Sequence, residues 1–287
     1  MGRKDVKDER NRLFSDFFRL VKEIQPKFFV AENVLGILHP RYDQVRQEAL
    51  DIVKDDYILL KPLKIKASDY GVPTTRTRVF FIGYRLPYIN DLTEKSFLPS
   101  KEILPVLVKE ALEGLPSDIS YDWQDEEDGW QPYERIENIN YFTERISGHI
   151  PLNVGDSISL KRFQNNNVVS GCLGTRHSEI VANRYALLEH DGIDKISKAK
   201  KLNPDGFCPT LRAGTGSDKG SYQAVRPIHH DTNRVITPRE AARLQGFPDW
   251  FVFHKTKWHS FRQIGNSVSP ILAEQLLTVI FNKLSNK

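Results

Sequence analysis

Four short segments combine residue types that can do chemistry. The first is Ala31-Glu32-Asn33-Val34, a carboxylate and a carboxamide that follow an apolar run. Open α/β sheets present ligands at the carboxyl ends of their strands. There Glu32 can bind a ring nitrogen of a base while Asn33 orients the acid or supports the loop; both can equally make turn contacts. The second segment is SDYGVPTTRTRVFFIG, residues 68–83. Arg76 and Arg78 alternate ahead of an apolar strand, so both point to one face. Two guanidinium groups there suit phosphate or carbonyl oxygens, or sit solvated on an edge strand. The third segment, TPREAARLQGFPDWF at 237–251, sets Arg239 and Arg243 one helical turn apart, on a binding face or on an ordinary charged one. The fourth, QIGNSVSPILAEQL at 263–276, reads as a Gly-Asn-Ser turn feeding a helix. Free backbone amides at such a start can hold a small polar ligand, or the turn is simply a cap.

The elements that must position these residues are legible from periodicity. Residues 8–24 read as an amphipathic helix with Leu13, Phe17 and Val21 spaced along one side, flanked by Phe14 and Phe18. Phe28–Ala31 is continuously apolar, which suits a strand buried on both faces, as in a parallel sheet. Residues 44–55 read as a helix, 57–66 as extended but interrupted by Pro62, and 79–84 as another apolar strand. This order is an α/β signature. The stretch 86–235 is different: irregular, partly β, with an acidic run from Asp122 to Asp128. A helix over 237–247 is announced by Thr237 as cap, Pro238 in the first turn and Glu240 closing a capping box. The last helix, 269–284, has Leu272, Leu276, Val279 and Ile280 as its apolar face.

Composition sets bounds on function. With 287 residues the chain can bury one large core or two modest ones. No apolar run approaches the roughly 20 residues of a membrane span, and the charged N-terminus does not read as a secretory signal. Cys172 and Cys208 are the only cysteines, which points to a reducing compartment without a disulfide framework or a metal cluster. A net charge of +4 and a pI near 8.9 are compatible with a polyanionic partner.

Taken in order, AENV, YGVP followed by Arg-x-Arg, a variable stretch, TPREAARLQGF and GNSVSP resemble the blocks of bacterial restriction-modification DNA cytosine-5 methyltransferases. The resemblance covers about residues 2–85 and 205–287. It implies an α/β fold: a partial Rossmann-like methyltransferase domain with a mostly parallel sheet, from 1–85 and 236–287, plus a smaller target recognition domain over 86–235. It implies transfer of a methyl group from S-adenosyl-L-methionine to carbon 5 of a cytosine flipped out of double-stranded DNA. Glu32 matches the glutamate that contacts ring nitrogen 3, and Asn33 its neighbour. Arg78 matches the arginine on the cytosine carbonyl, and Arg76 its companion. Asn266, Ser267 and Val268 match the block that closes over the cofactor. Arg239, Glu240 and Arg243 match the block that organises the recognition domain and supports the DNA cleft. Thr210 and Leu211 resemble the pair that closes that domain. Thr210 and Arg212 lie in one of two loop patches, 171–185 and 207–226, suited to groove edges and phosphates.

The sequence also departs from the pattern. The Gly-rich cofactor loop and the Pro-Cys nucleophile are not found, and GRKDVKDERNRLF resembles the stretch that follows the nucleophile. A complementary N-terminal polypeptide is therefore expected, or else a truncated product of a one-chain enzyme. Thr74 stands where relatives have Gln, and Ser269 varies the Gly-Asn-Ser-Val-Pro pattern. Cys172 and Cys208 read as packing cysteines. The expected setting is the bacterial cytoplasm. The alternative reading is a non-catalytic DNA-binding specificity subunit of a split methyltransferase, and an RNA-modifying relative is a further one.

Overall fold

A computed structural model describes residues 10–119, 129–148, 150–213 and 226–284. The acidic run 122–128, most of the loop 207–226 and the first residues of the 8–24 helix lie outside the described residues. In chain order the elements are α1 (Arg10–Ile24), β1 (Phe28–Val34), α2 (Asp43–Asp51), β2 (Ile58–Leu59), β3 (Leu63–Lys66), β4 (Thr77–Tyr84), α3 (Val108–Leu112), β5 (Gln131–Pro132), α4 (Tyr141–Thr143), α5 (Ser157–Asn166), β6 (Val168–Val169), α6 (Glu179–Ala186), α7 (Pro238–Leu244), α8 (Lys257–Asn266) and α9 (Pro270–Lys283). Contacts divide the chain into two compact units. One holds the described residues of Met1–Lys66, Thr77–Pro99 and Glu274–Lys287; the other holds Ala67–Arg76 and Ser100–Ala273.

The first unit is built on β4. β1 pairs with it on one side, and β2 and β3 pair with it on the other. All three pairings are antiparallel, so the expected mostly parallel sheet is corrected for the described strands. An apolar run reports burial of both strand faces and carries no information about direction. Pro62 lies between β2 and β3 and divides the extended segment as expected. On α1 the buried residues are Phe14, Phe18 and Val21, whereas Leu13 is 67% exposed, so the helix is rotated from the face centred on Leu13 and Phe17.

Strand alternation sorts the side chains of this unit. Phe29 and Ala31 of β1 share one face with Val79 and Phe81 of β4 and join the core formed by α1 and α2. Phe18 meets Phe29 edge-on with centroids 5.4 Å apart, and Phe29 meets Tyr57 at 5.3 Å. Gly83 lies opposite Phe29 in the register, and a Cβ there would stand 2.3 Å from the Phe29 ring. Glu32 and Arg78 fall on the other face.

The second unit is more irregular. β5 and β6 form a short antiparallel pair beside a core of Ile119, Tyr133, Phe163, Val169 and Cys172, with Tyr133 and Phe163 stacked at 5.6 Å. α7 packs on α3 and α8. Its start is as expected: Glu240 accepts from the Thr237 backbone N–H at 2.7 Å, and Thr237 Oγ1 accepts from the Glu240 N–H at 3.2 Å. α8 was not anticipated. Gly265 and Asn266 close it, and so do not form a turn that feeds the next helix; the chain leaves the helix over residues 267–269 before α9. The stretch Lys257–Lys283 is apolar enough for a membrane span by composition. This break leaves helices of 10 and 14 residues, each short of the roughly 20 a span needs.

Replacing Gly83 by Ala forces a methyl group into the Phe29 ring. G83A is expected to destabilise the chain by about 1–3 kcal/mol, read as a lower urea midpoint. A Phe29→Leu substitution in the same background should recover part of the loss.

Candidate active site

The antiparallel register brings Glu32 and Arg78 together. Glu32 pairs with Phe80, so Arg78 is its diagonal neighbour on the same face, within reach of two long side chains. Arg78 Nε lies 2.7 Å from Glu32 Oε1, with both side chains only partly exposed. Arg78 Nη1 donates to the Thr77 carbonyl at 2.9 Å, and its Nη2 makes no hydrogen bond among the described residues. Burial lowers the Arg78 pKa, and the Glu32 carboxylate opposes that shift. The pair is thus a carboxylate held against a guanidinium whose Nη2 makes no hydrogen bond among the described residues. Asn33 takes the blander role: its Oδ1 accepts from the Val34 N–H at 2.8 Å, so it shapes the strand end.

Arg76 belongs to the other unit and is buried there. Its Nη2 donates to the Ser267 carbonyl at 2.9 Å and its Nη1 to the Leu211 carbonyl at 3.2 Å. The adjoining strand segment is tied down as well: Thr74 Oγ1 and Thr75 N–H donate to the Cys208 carbonyl at 3.0 and 2.9 Å. Thr74, the departure from Gln, therefore serves as a short bridge. Ser267 also accepts from Gln245 Nε2 at 3.5 Å, and its hydroxyl donates to Ile264 O at 2.8 Å. Asn266 is exposed, and Val268 is partly exposed.

α7 concentrates buried charge. Arg239 is 1% exposed and Arg243 is 0% exposed. Arg239 donates to Ser170 O at 2.7 Å, Ser170 Oγ at 3.1 Å, Pro248 O at 3.2 Å and Phe251 O at 2.6 Å. Arg243 grips Asp249 with two bonds of 3.1 and 2.6 Å and reaches the carbonyls of Ala111 and Glu113. Arg234 forms a second fork on Glu240 at 2.9 and 2.7 Å. The expectation that Arg239 and Arg243 touch DNA is corrected. One-turn spacing places two residues on one face, but that face is the interior here. Thr210 is partly buried. Arg212 is exposed, and its carbonyl accepts from Arg226 Nη1 at 3.0 Å.

The sequence reading missed His229. It is buried, its Nδ1 accepts from the backbone N–H groups of Asp231 and Thr232 at 3.1 and 3.3 Å, and its Nε2 lies 3.6 Å from Glu240. Burial pushes it down to about 4, with Glu240 opposing. Burial also resists ionisation of Glu240, but the Arg234 fork, His229 and the Thr237 N–H together hold that carboxyl below its ordinary range.

Residues 1–282 match the profile of the C-5 cytosine-specific DNA methylases. The chain belongs to that family. The Type II methyltransferase M.XorII of Xanthomonas oryzae pv. oryzae is 36% identical, over 100% of this chain and 66% of its own length. M.DdeI of Desulfomicrobium norvegicum is 31% identical, over 96% and 68%. A crystal structure of a prophage-encoded DNA modification methyltransferase (E. coli) superposes with a TM-score of 0.87 at 51% identity, covering 96% of this chain and 75% of that one. The S. pombe Dnmt2 methyltransferase, at 16% identity and a TM-score of 0.56, shares the fold. The chain spans about two thirds of the length of the curated relatives it matches. Each relative carries the matching region within a single longer polypeptide, so a separate complementary chain has no support from them.

Within this methylase chain neither thiol is placed as a nucleophile. Cys172 is buried and pushed up to about 12 by that burial; Cys208 is fully buried and raised further for the same reason. No Pro-Cys dipeptide occurs in the 287 residues.

Two outcomes follow for the α7 cluster. Arg243→Ala strands Asp249 and two carbonyls in the interior, so a loss of about 3–5 kcal/mol is expected in urea unfolding. For His229, the unfolded chain takes up a proton near 6.5 while the folded chain resists until about 4. Stability should therefore fall as pH drops through that window, by about 2 kcal/mol between pH 7.5 and 5. His229→Asn, which keeps an acceptor for the two N–H groups, should flatten that part of the profile.

Proposed function

We propose that this chain carries the cytosine-binding and site-recognition portion of a DNA cytosine-5 methyltransferase, which moves a methyl group from S-adenosylmethionine to carbon 5 of a cytosine flipped out of duplex DNA. The observation that carries the reading is the Glu32–Arg78 pair at 2.7 Å, at the end of β1, in a member of this family. Carbon 5 of cytosine is a poor nucleophile until a thiolate adds at carbon 6, and negative charge then builds on ring nitrogen 3 and the carbonyl oxygen. A carboxyl that gives its proton to nitrogen 3 and a guanidinium aimed at the carbonyl stabilise that state more than the ground state. Glu32 takes the first role. Arg78 takes the second through Nη2, the donor its present contacts leave open.

When bound, S-adenosylmethionine supplies an electrophilic methyl group. The residues of the fourth segment suit part of its site: Asn266 offers an exposed carboxamide and Val268 a partly exposed apolar face. Ser267 contributes through its backbone, already held by Arg76. Residues 86–235 take the role of target recognition domain, with Thr210 and Arg212 toward DNA. Arg239 and Arg243 fix the loops from within. The matches to Type II methyltransferases support a restriction-modification setting.

Methyl transfer from labelled S-adenosylmethionine to mixed bacterial DNA tests this reading. The 287-residue chain alone is expected to transfer no label, because its two thiols are buried. A fusion that adds to this chain the part of a relative such as M.XorII that it does not match is expected to transfer it. In that active form Glu32→Gln should lower kcat roughly 10²- to 10³-fold while DNA binding persists. Transfer by the chain alone, or full activity of the Gln variant, would overturn the assignment.

A further inference from the structure

The chain is nearly balanced in charge, with 41 basic and 37 acidic residues, yet residues 250–273 contain no carboxylate at all. The same stretch holds Lys255, Lys257 and Arg262, together with His254 and His259. α8 occupies its centre and is two-faced. Ser260, Phe261, Ile264 and Gly265 are buried. His259, Arg262, Gln263 and Asn266 are exposed. Their spacing of three and four residues draws one stripe along the helix, extended at its start by exposed Lys255. From His259 to Asn266 the stripe rises about 10 Å, which matches a few phosphate steps along one DNA strand.

Two contacts give the stripe a defined shape. The Arg262 guanidinium lies 5.2 Å from the centre of the Trp258 ring, which braces it. On the other side, the backbone of residues 212–213 packs on α8 so closely that a Cβ at Gly265 would stand 2.4 Å from the Ala213 nitrogen. That approach sets exposed Arg212 beside the helix. Lys257 is turned away, with its ammonium on the Gly174 carbonyl at 2.6 Å.

We propose that the exposed face of α8, with Lys255 at its start and Arg212 beside it, binds the phosphate backbone of duplex DNA. This rests on the reading of the chain as part of a DNA methyltransferase and adds a positioning surface to it. Phosphate fits better than a base edge: the donors are long, exposed and arrayed in a line along a helix face. Such contacts set register and affinity without discriminating sequence.

The test is the salt dependence of binding, by fluorescence anisotropy, of the full chain to random-sequence duplexes and to single-stranded DNA. Removing two phosphate contacts with Lys255→Ala/Arg262→Ala should lower the slope of log K against log salt by about 1.8, weakening binding roughly 10- to 100-fold at 0.1 M salt. The loss should be equal for all duplexes. A charge-matched control, Lys22→Ala/Lys64→Ala on exposed positions of α1 and β3, should leave the slope near its starting value. Circular dichroism and the thermal midpoint check that each variant folds. An unchanged slope in the folded α8 variant overturns the proposal while the methyltransferase reading stands. An equal loss in the control overturns it too, because net charge alone would then explain binding. If the unaltered chain binds no duplex at all, both the surface and the DNA reading fail. Preference for single strands over duplexes also overturns it.

Discussion

Around α7 the interior is held by charge. Three guanidinium groups, from Arg234, Arg239 and Arg243, are buried where a protein usually places aliphatic side chains. Taking such groups out of water is expensive, and a hydrophobic replacement can be as stable. Geometry is what they add: a planar fork with five fixed donors accepts only one arrangement of partners. Here the partners are carbonyls at Ala111, Glu113, Ser117, Ser170, Pro248 and Phe251 and the carboxylates of Glu240 and Asp249. Apart from Ala111 in α3 and Glu240 in α7, these lie in stretches of the second unit with little regular structure, so the arginines give loops the fixed positions that a sheet would otherwise provide.

The first unit solves the same problem with aromatic packing. Phe14, Phe18, Phe29, Tyr57 and Phe81 interlock edge-to-face on one side of β1 and β4. Strand alternation then leaves the opposite side for Glu32 and Arg78. A polar pair so close to a dense core is rigid because the backbone beneath it cannot shift without disturbing several rings. Gly83 is part of that arrangement, since any side chain there would displace Phe29.

What could be read from the sequence was local. The start of α7 was legible because Thr237, Pro238 and Glu240 act within four residues of one another. The break at Pro62 was legible for the same reason. Strand direction was not, because Phe28–Ala31 and Val79–Tyr84 look alike in either sense. The burial of Arg239 was hidden because its partners, such as Ser170, lie 69 positions away. Charged residues at helical spacing look identical whether they face solvent or a set of distant carbonyls. α8 was masked by Gly265 and by the polar stripe. Its buried positions Ser260, Phe261 and Ile264 were the signal that a longer periodic window would have caught. His229 carried no signal at all, since its partner Glu240 was already assigned to the cap.

Arg76 shows how residue type and spacing mislead about role. As one of two alternating arginines it reads as a twin of Arg78, yet the two do different work. Arg78 lies against a carboxylate and leaves its Nη2 without a hydrogen bond among the described residues. Arg76 gives its terminal nitrogens to the carbonyls of Leu211 and Ser267. Gln245, just past α7, reaches the same Ser267 carbonyl. Three of the sequence blocks in the second unit therefore converge on one peptide, in the connection between α8 and α9 at residues 267–269. The backbone there has no regular ladder to hold it, and two side chains from distant segments supply the missing donors. Arg76 thus acts by fixing this backbone, and a loss of that guanidinium would loosen residues 267–269 first.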